Sequence, residues 1–146
     1  MTLFTIGYEE TVPARLIETL RGAGITTLVD VRALANSRKP GFAKTALSAA
    51  LAEAGIGYRH VKALGTPAEG RAAVRAGRPG EMRRIFGAHL AGVEAQAALA
   101  ALADQAGRET VCLLCLEADP ARCHRALVAE AVAATAGVSV THLYSA

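Results

Sequence analysis

Short apolar segments alternate with helical patterns along the whole chain, and this alternation constrains the fold more than any other feature. Segments 3–6, 27–31, 57–61, 109–115 and 138–144 have the length and apolar character of strands. Helical patterns lie between and after them, at 13–23, 44–54, 81–105 and 120–135. The sequence therefore predicts a three-layer α/β fold, with a mostly parallel five-stranded sheet and helices on both faces, a Rossmann-like architecture.

The length of 146 residues predicts one α/β domain covering residues 1–146. Segment 62–80 is unusual within such a domain because it contains six glycine and proline residues. Long connections of this kind are often lids or binding loops. We therefore expect a lid-like loop at 62–80, with a short helix near 68–76.

Cysteine content and hydropathy indicate a cytoplasmic protein. Three cysteines, an odd number, in a chain with a full core fit a reducing compartment better than a disulfide scaffold. No apolar run approaches the roughly 18 residues of a membrane span, and the first residues lack the basic region of a signal peptide. We therefore expect neither a membrane segment nor a leader.

The positive charge is concentrated in one region. Segment 59–84 contains seven lysine and arginine residues against two acidic ones, whereas the whole chain has a net charge of only +3. One basic region on a near-neutral body indicates an anionic partner. A solvated arginine-rich face is the alternative explanation, and the sequence leaves both open.

The carboxyl ends of parallel strands meet at one edge of a sheet, where such folds bind ligands. The side chains that carry chemistry follow these strand ends or lie just beyond them. The candidates are Tyr8, Asp30, Arg32, Arg38, His60, Cys115, Glu117, Cys123, His124 and Arg125.

Arginine residues are the predicted anion ligands. Arg125 stands in the first turn of the predicted last helix, where its charge opposes the helix dipole, so an anionic group should hold it. Glu117 or a ligand phosphate could supply that group. We expect Arg32, Arg38 and Arg125 to surround one hollow.

Glu117, His124 and Cys115 are the candidate catalytic groups beside these arginines. Glu117 and His124 would be available for proton transfer. We assign Tyr8, Asp30, His60 and Cys123 as further candidate ligand contacts.

Metal binding and thiol catalysis are disfavoured by spacing. Cys112 and Cys115 lie three apart in a strand and face opposite sides of the sheet, and Cys123 and His124 are adjacent on the predicted helix, so no metal is predicted. The loop after Cys115 lacks glycine and carries two carboxylates, which would repel a thiolate and a phosphate. A redox pair of Cys115 and Cys123 stays open. No Gly-x-Gly-x-x-Gly motif is present, so no cofactor is assigned.

Several short motifs, in order along nearly the whole chain, resemble the domain of unknown function 488 family. They are Thr5-Ile6-Gly7-Tyr8, Leu28-Val29-Asp30-Val31-Arg32, Ser37-Arg38 followed by Phe42, Gly55-Ile56-Gly57-Tyr58, Leu64-Gly65, and Leu114-Cys115-Leu116-Glu117 with Cys123-His124-Arg125. The chain departs from the family pattern at Tyr8, where histidine is more usual, and at Thr66, where a second glycine is frequent. The resemblance implies a small cytosolic α/β domain with no established substrate.

Three functions compete at this stage. The first is a binding domain or enzyme for a phosphorylated small molecule or nucleotide, with the arginines as anion ligands. The second is a nucleic-acid-binding module that uses segment 59–84, although an aromatic content of 4% leaves few stacking platforms. The third is a non-catalytic interaction domain whose polar cluster is structural.

Overall fold

The computed structural model describes residues 1–145 and contains one five-stranded sheet in which all paired strands are parallel. The strand order is β3-β2-β4-β1-β5. The strands are β1 (Thr2–Gly7), β2 (Thr27–Asp30), β3 (Gly57–His60), β4 (Val111–Cys115) and β5 (Ser139–Leu143). All five predicted strands are confirmed, with ends that differ by one or two residues.

Six helices surround the sheet in the described part of the chain. They are α1 (Pro13–Gly22), α2 (Lys44–Glu53), α3 (Ala68–Arg75), α4 (Pro79–Leu90), α5 (Val93–Arg108) and α6 (Arg125–Ala136). Two short 3-10 turns lie at Lys62–Leu64 and Pro120–Arg122. The predicted three-layer α/β architecture is confirmed.

Two apolar cores cover the two faces of the sheet. On one face, Leu16 and Leu20 of α1 and Leu47 and Leu51 of α2 pack with the β4 residue Cys112. On the other face, α3 to α6 pack against β-strand side chains that include Leu113 and Cys115. Every residue of β4 is buried, as expected for a central parallel strand. Cys112 and Cys115 therefore face opposite layers, as their spacing predicted.

The chain leaves β1 and β4 on opposite faces of the sheet. After β1, helix α1 covers one face and the chain enters β2, beyond β4. After β4, helix α6 covers the other face and the chain enters β5, beyond β1. The two connections therefore leave the adjacent ends of β1 and β4 toward opposite faces of the sheet. Such a switch point is the usual ligand position in open parallel sheets.

The long helix predicted at 81–105 is two helices. Helix α4 begins at Pro79 and ends at Leu90, and α5 begins after Gly92, which has extended backbone angles. Gly92 thus interrupts the predicted helix, whereas Gly87 lies inside α4 without breaking it. Among residues 1–145 no single helix has the length and apolar composition to cross a membrane; α4 and α5, bent by 88°, meet those criteria only as a pair.

The last helix begins five residues later than predicted. Asp119 accepts a hydrogen bond from the Ala121 backbone N–H at 2.9 Å, and this cap closes a 3-10 turn rather than an α-helix. Cys123 is extended, with φ −128° and ψ 141°, so the chain breaks before α6 starts at Arg125. His124 therefore lies at the cap position and not inside a helix.

Segment 62–80 is more regular than a lid-like loop. It contains the 3-10 turn Lys62–Leu64, the eight-residue helix α3, and the first residues of α4. The predicted short helix at 68–76 corresponds to α3. Gly77, with φ +74°, allows the tight turn between α3 and α4.

Candidate functional site

A cavity of about 270 Å³ lies at the carboxyl ends of β1, β2 and β4, and we call it the edge pocket. Its walls come from the loops after these strands, from α3 and from the residue before α6. The charged and aromatic groups that line it are Tyr8, Arg32, Arg71, Arg75, Glu117 and His124. The pocket therefore lies at the carboxyl edge of the sheet, beside the switch point that the topology creates.

A buried ion pair forms the β2 side of the pocket. Arg32 donates through Nε and Nη2 to the two carboxylate oxygens of Asp30, at 2.9 and 2.6 Å, and this is a bidentate pair. Tyr58 on β3 also donates its hydroxyl to Asp30, at 2.5 Å. Burial alone would lower the pKa of Arg32, but the bonds to Asp30 raise it, so the arginine stays charged. Asp30 thus fixes the direction of Arg32.

The remaining bonds of Arg32 also lie within the protein. Its Nη1 donates to the Phe42 carbonyl at 2.8 Å and to the Tyr8 hydroxyl at 3.2 Å. Tyr8 in turn stacks on Phe42, with ring centroids 4.6 Å apart. The His60 ring nitrogen Nε2 bonds to the Arg32 backbone carbonyl at 2.7 Å. Arg32 reaches the pocket, but most of its donors hold the loop after β2 in place.

Arg125 is fully buried and bonds to neutral oxygens. Its Nη1 donates to the Glu117 carbonyl, its Nη2 to the Ala118 carbonyl at 3.3 Å, and its Nε to the Thr5 hydroxyl at 3.2 Å. No salt bridge to Arg125 is found within residues 1–145. The group that holds Arg125 is therefore the backbone of the loop after β4. The predicted Glu117 partner is present through its carbonyl rather than its carboxylate.

Two glycines let the loops around the pocket approach one another. A β-carbon at Gly7 would collide with the Glu117 carbonyl, which Arg125 also contacts. A β-carbon at Gly65 would collide with the backbone of Ala33, in the loop after β2. These contacts give a physical reason for glycine at both positions.

Three donor groups gather at the floor of the pocket. The His124 ring nitrogen Nδ1 lies 3.7 Å from the Cys115 sulfur and 3.9 Å from the Cys123 sulfur. The second ring nitrogen, Nε2, lies 2.7 Å from the Val31 carbonyl and donates to it. All three side chains are buried, and all three cysteines of the chain are free thiols.

The thiol and imidazole groups shift each other's protonation. Burial alone would raise the pKa of the Cys123 thiol, but hydrogen bonds with Cys115 and His124 lower it well below its usual range. The same contact with Cys123 raises the pKa of Cys115, and burial adds to that effect. Burial would lower the pKa of His124, but Cys123 raises it. The hydrogen bond between the two thiols thus shifts their pKa values in opposite directions.

Glu117 is the other perturbed acid. Burial raises its pKa to about 7, and the neighbouring Cys123 contributes in the same direction. Its Oε2 atom is buried without a hydrogen-bond partner in the part of the chain that the structure describes. A carboxyl group with a buried oxygen that lacks a partner among the described residues therefore lies in the pocket wall.

Helix α3 supplies two arginines that sequence reasoning did not single out. Arg71 and Arg75 lie one turn apart, and both line the pocket. Arg71 is half-buried and donates to the Thr66 carbonyl at 2.8 Å, whereas Arg75 is exposed. The four-residue spacing was a usable signal, but within the basic segment 59–84 it was hidden among five other cations.

The structure brings part of the predicted set together. Five of the ten residues line the edge pocket, namely Tyr8, Arg32, Cys115, Glu117 and His124. Asp30 and Cys123 lie directly behind them through their bonds to Arg32 and His124. The others are outside the lining: His60 at the end of β3, Arg38 exposed in the loop after β2, and Arg125 in the interior.

The expected gathering of three guanidinium groups around one hollow is therefore not found. Only Arg32 reaches the pocket, because internal oxygens hold Arg125 and because Arg38 lies outside the lining. The catalytic and anion-binding roles assigned to individual residues stay predictions.

The fold and the site define a parallel three-layer α/β protein with a ligand-sized pocket at its switch point. The family model described as Domain of unknown function DUF488 matches residues 13–132, which is most of the chain. The chain belongs to that family, and the predicted resemblance is confirmed. No curated protein and no solved structure matches the chain significantly.

Proposed function

We propose that the edge pocket binds a small phosphorylated molecule or nucleotide. The observation that carries this proposal is the placement of Arg71 and Arg75 on the wall of the same cavity as Arg32. Guanidinium groups bind phosphate through paired N–H donors, and a site at the carboxyl edge of a parallel sheet is the usual place for such a ligand. The α3 arginines supply the phosphate contacts.

The pocket also fits an organic body attached to the phosphate. Leu34 and Leu116 are 50% and 42% exposed, and they line the pocket together with Val74. Exposed apolar side chains beside charged ones are typical of sites that orient a small molecule by a few polar contacts. A volume of about 270 Å³ is close to the lower end of small-molecule sites.

The nucleic-acid alternative has weaker support. Arg59 donates to Gln105 at 2.6 Å, and Arg84 pairs with Glu81 at 2.5 Å, so part of the basic segment is engaged within the protein. A concave pocket of this size favours a small ligand over a polymer.

Ligand binding is tested by thermal shift and calorimetry with AMP and ribose 5-phosphate, each compared with its dephosphorylated form. We expect only the phosphorylated compounds to raise the melting temperature. Arg71→Gln and Arg75→Gln should each weaken binding roughly tenfold, because a charge-assisted hydrogen bond contributes about 1.5–3 kcal/mol.

Arg78→Gln is the matched control, because Arg78 is an exposed arginine of the same basic segment outside the pocket lining. The proposal fails if no phosphorylated compound stabilises the protein at millimolar concentration, or if Arg78→Gln weakens binding as much as Arg75→Gln. Salt-dependent binding of an oligonucleotide, equally reduced by all three substitutions, would favour the nucleic-acid function instead.

A further inference from the structure

We propose that Cys115, Cys123 and His124 form a zinc site whose fourth coordination position opens into the edge pocket. The proposal concerns a metal and is independent of the phosphate proposal. It depends on the geometry of three donor atoms, on the hydrogen bond behind the histidine, and on the position of the cluster beside the cavity.

The donor atoms already have the spacing of a metal site. One donor atom from each residue lies within 4.8 Å of the other two. The two N···S distances from His124 are 3.7 and 3.9 Å. Zinc bonds of about 2.3 Å to sulfur and about 2.0–2.1 Å to nitrogen, at a tetrahedral angle, require an N···S separation of about 3.6 Å. Both N···S distances are therefore within a few tenths of an ångström of the tetrahedral value.

The histidine is oriented as a metal ligand. His124 donates the proton on Nε2 to the Val31 carbonyl at 2.7 Å, which leaves the lone pair of Nδ1 directed at the two sulfurs. Metal-binding histidines almost always donate their second nitrogen to a carbonyl or carboxylate in this way. The Val31 carbonyl follows β2, so the sheet itself fixes the imidazole.

The donor set favours zinc among the common divalent ions. Two thiolates and one imidazole are soft and borderline ligands, which magnesium and calcium avoid and which zinc binds well. Binding forms two Zn–S bonds and one Zn–N bond, and the two thiol protons leave to solvent. The two thiolate charges then balance the charge of the ion in a buried place.

The fourth position faces the pocket because two of the three ligands line it. Cys115 and His124 are part of the pocket wall, whereas Cys123 lies behind them. Three protein ligands and one open position are typical of catalytic zinc sites, in which water or a ligand oxygen completes the coordination. A structural site would instead provide a fourth protein ligand.

The sequence-based expectation of no metal assumed that Cys123 and His124 share a helix. The structure removes that objection, because Cys123 is extended and α6 starts only at Arg125. The extended residue lets adjacent side chains turn toward one point. Cys112, which the sequence offered as another donor, belongs to the opposite core and takes no part.

The test uses the full chain, purified in the presence of a non-chelating reductant. We expect the reduced protein to bind one zinc per chain by elemental analysis, and to bind cobalt with the visible and near-ultraviolet bands of a tetrahedral thiolate site. We expect zinc binding to weaken by on the order of 100-fold in each of three variants, Cys115→Ala, Cys123→Ala and His124→Gln. Loss of a residue that only supports a zinc ligand already weakens binding by about 10- to 100-fold, so loss of a ligand itself should reach at least the upper end of that range.

Cys112→Ala is the matched control, because it removes a buried thiol from the same strand on the opposite face. It should leave the stoichiometry and the cobalt spectrum unchanged. Circular dichroism of the metal-free variants separates loss of ligands from loss of folding, and His124→Gln provides a test that retains both thiols.

The proposal is overturned if the reduced, folded protein takes up no zinc or cobalt at micromolar concentration. It is also overturned if Cys112→Ala reduces zinc binding as much as Cys115→Ala does. Reduced protein that binds no metal but forms a Cys115–Cys123 disulfide on mild oxidation, seen by mass spectrometry, would make the cluster a redox pair instead.

Discussion

Two pairs of arginines lie at the same edge of the sheet, and they differ in burial and in hydrogen-bond partners. Arg32 and Arg125 are 5% and 0% exposed, and their donors reach a carboxylate, hydroxyl groups and backbone carbonyls of the protein. Arg71 and Arg75 lie on α3: Arg71 is half-buried and donates to the Thr66 carbonyl, and Arg75 is exposed. The first pair holds the loops after β2 and β4 in place, and the second pair lines the edge pocket from α3.

The difference follows from the cost of burying charge. A buried guanidinium group must find its hydrogen-bond partners within the protein, because water is absent there. Once Arg125 contacts the carbonyls of Glu117 and Ala118, it cannot also hold a ligand without losing those bonds. A half-exposed arginine can exchange water for phosphate at little cost. Ligand contacts are therefore expected at the α3 arginines, and substitutions of Arg32 and Arg125 are expected to lower the stability of the fold.

The largest expected effect comes from Gly7→Ala, which tests the close contact between the end of β1 and the loop after β4. The new β-carbon would collide with the Glu117 carbonyl, a backbone atom that cannot move aside without disturbing the loop that Arg125 holds. We expect a loss of about 3 kcal/mol or more in the free energy of unfolding, measured by urea denaturation.

Gly87→Ala is the control for this substitution, because Gly87 lies inside α4 with nothing within 4 Å of the added β-carbon. It should be neutral or stabilise the protein by about 0.5–1 kcal/mol. Equal stability of the Gly7→Ala and Gly87→Ala variants would show that the two loops do not approach as described.

Arg125→Met should have the second largest effect. The substitution removes a buried charge but leaves the Glu117 and Ala118 carbonyls and the Thr5 hydroxyl without their partner. We expect a loss of about 2–3 kcal/mol in the free energy of unfolding. Arg75→Gln, measured in the same way, should change stability by less than about 0.5 kcal/mol. If Arg125→Met leaves the stability unchanged, the distinction between the buried arginines and the α3 arginines is wrong.

The sequence was sufficient to predict the sheet and the edge at which the pocket forms. Alternating strand and helix patterns determine a parallel sheet, and parallel strands place their carboxyl ends together. Cys115 ends β4, and Tyr8, Arg32 and Glu117 follow strands within two residues, so their place at the pocket could be predicted without side-chain detail.

Two features could not be read from the same pattern. The helix dipole argument correctly required a partner for Arg125, but hydrogen bonds to backbone carbonyls leave no trace in residue types. The start of α6 depended on whether Asp119 caps a 3-10 turn or an α-helix, and the same residues serve both. Because α6 begins only at Arg125, Cys123 and His124 lie before the helix, and this position determines the geometry of the thiol cluster.

The smallest expected effect comes from the protonation of His142 on β5, whose pKa the fold lowers. The Thr5 hydroxyl accepts from Arg125 Nε and is hydrogen-bonded to Nδ1 of His142 at 2.6 Å. Burial lowers the pKa of His142, the positive charge of Arg125 lowers it further, and Glu130 opposes them. The unfolded chain therefore binds more protons at His142 than the folded protein does. Stability from this group is present above the unfolded pKa of about 6.5 and is lost as the pH falls below it.

His142→Asn keeps an acceptor near the Thr5 hydroxyl but does not titrate. Urea denaturation between pH 7.5 and 5.5 should show a smaller loss of stability for this variant than for the unsubstituted protein. The raised pKa of His124 acts in the opposite direction, but it is common to both proteins, so the difference between the two slopes isolates His142. Parallel slopes would mean that burial and the charge of Arg125 do not lower the pKa of His142 in the folded protein.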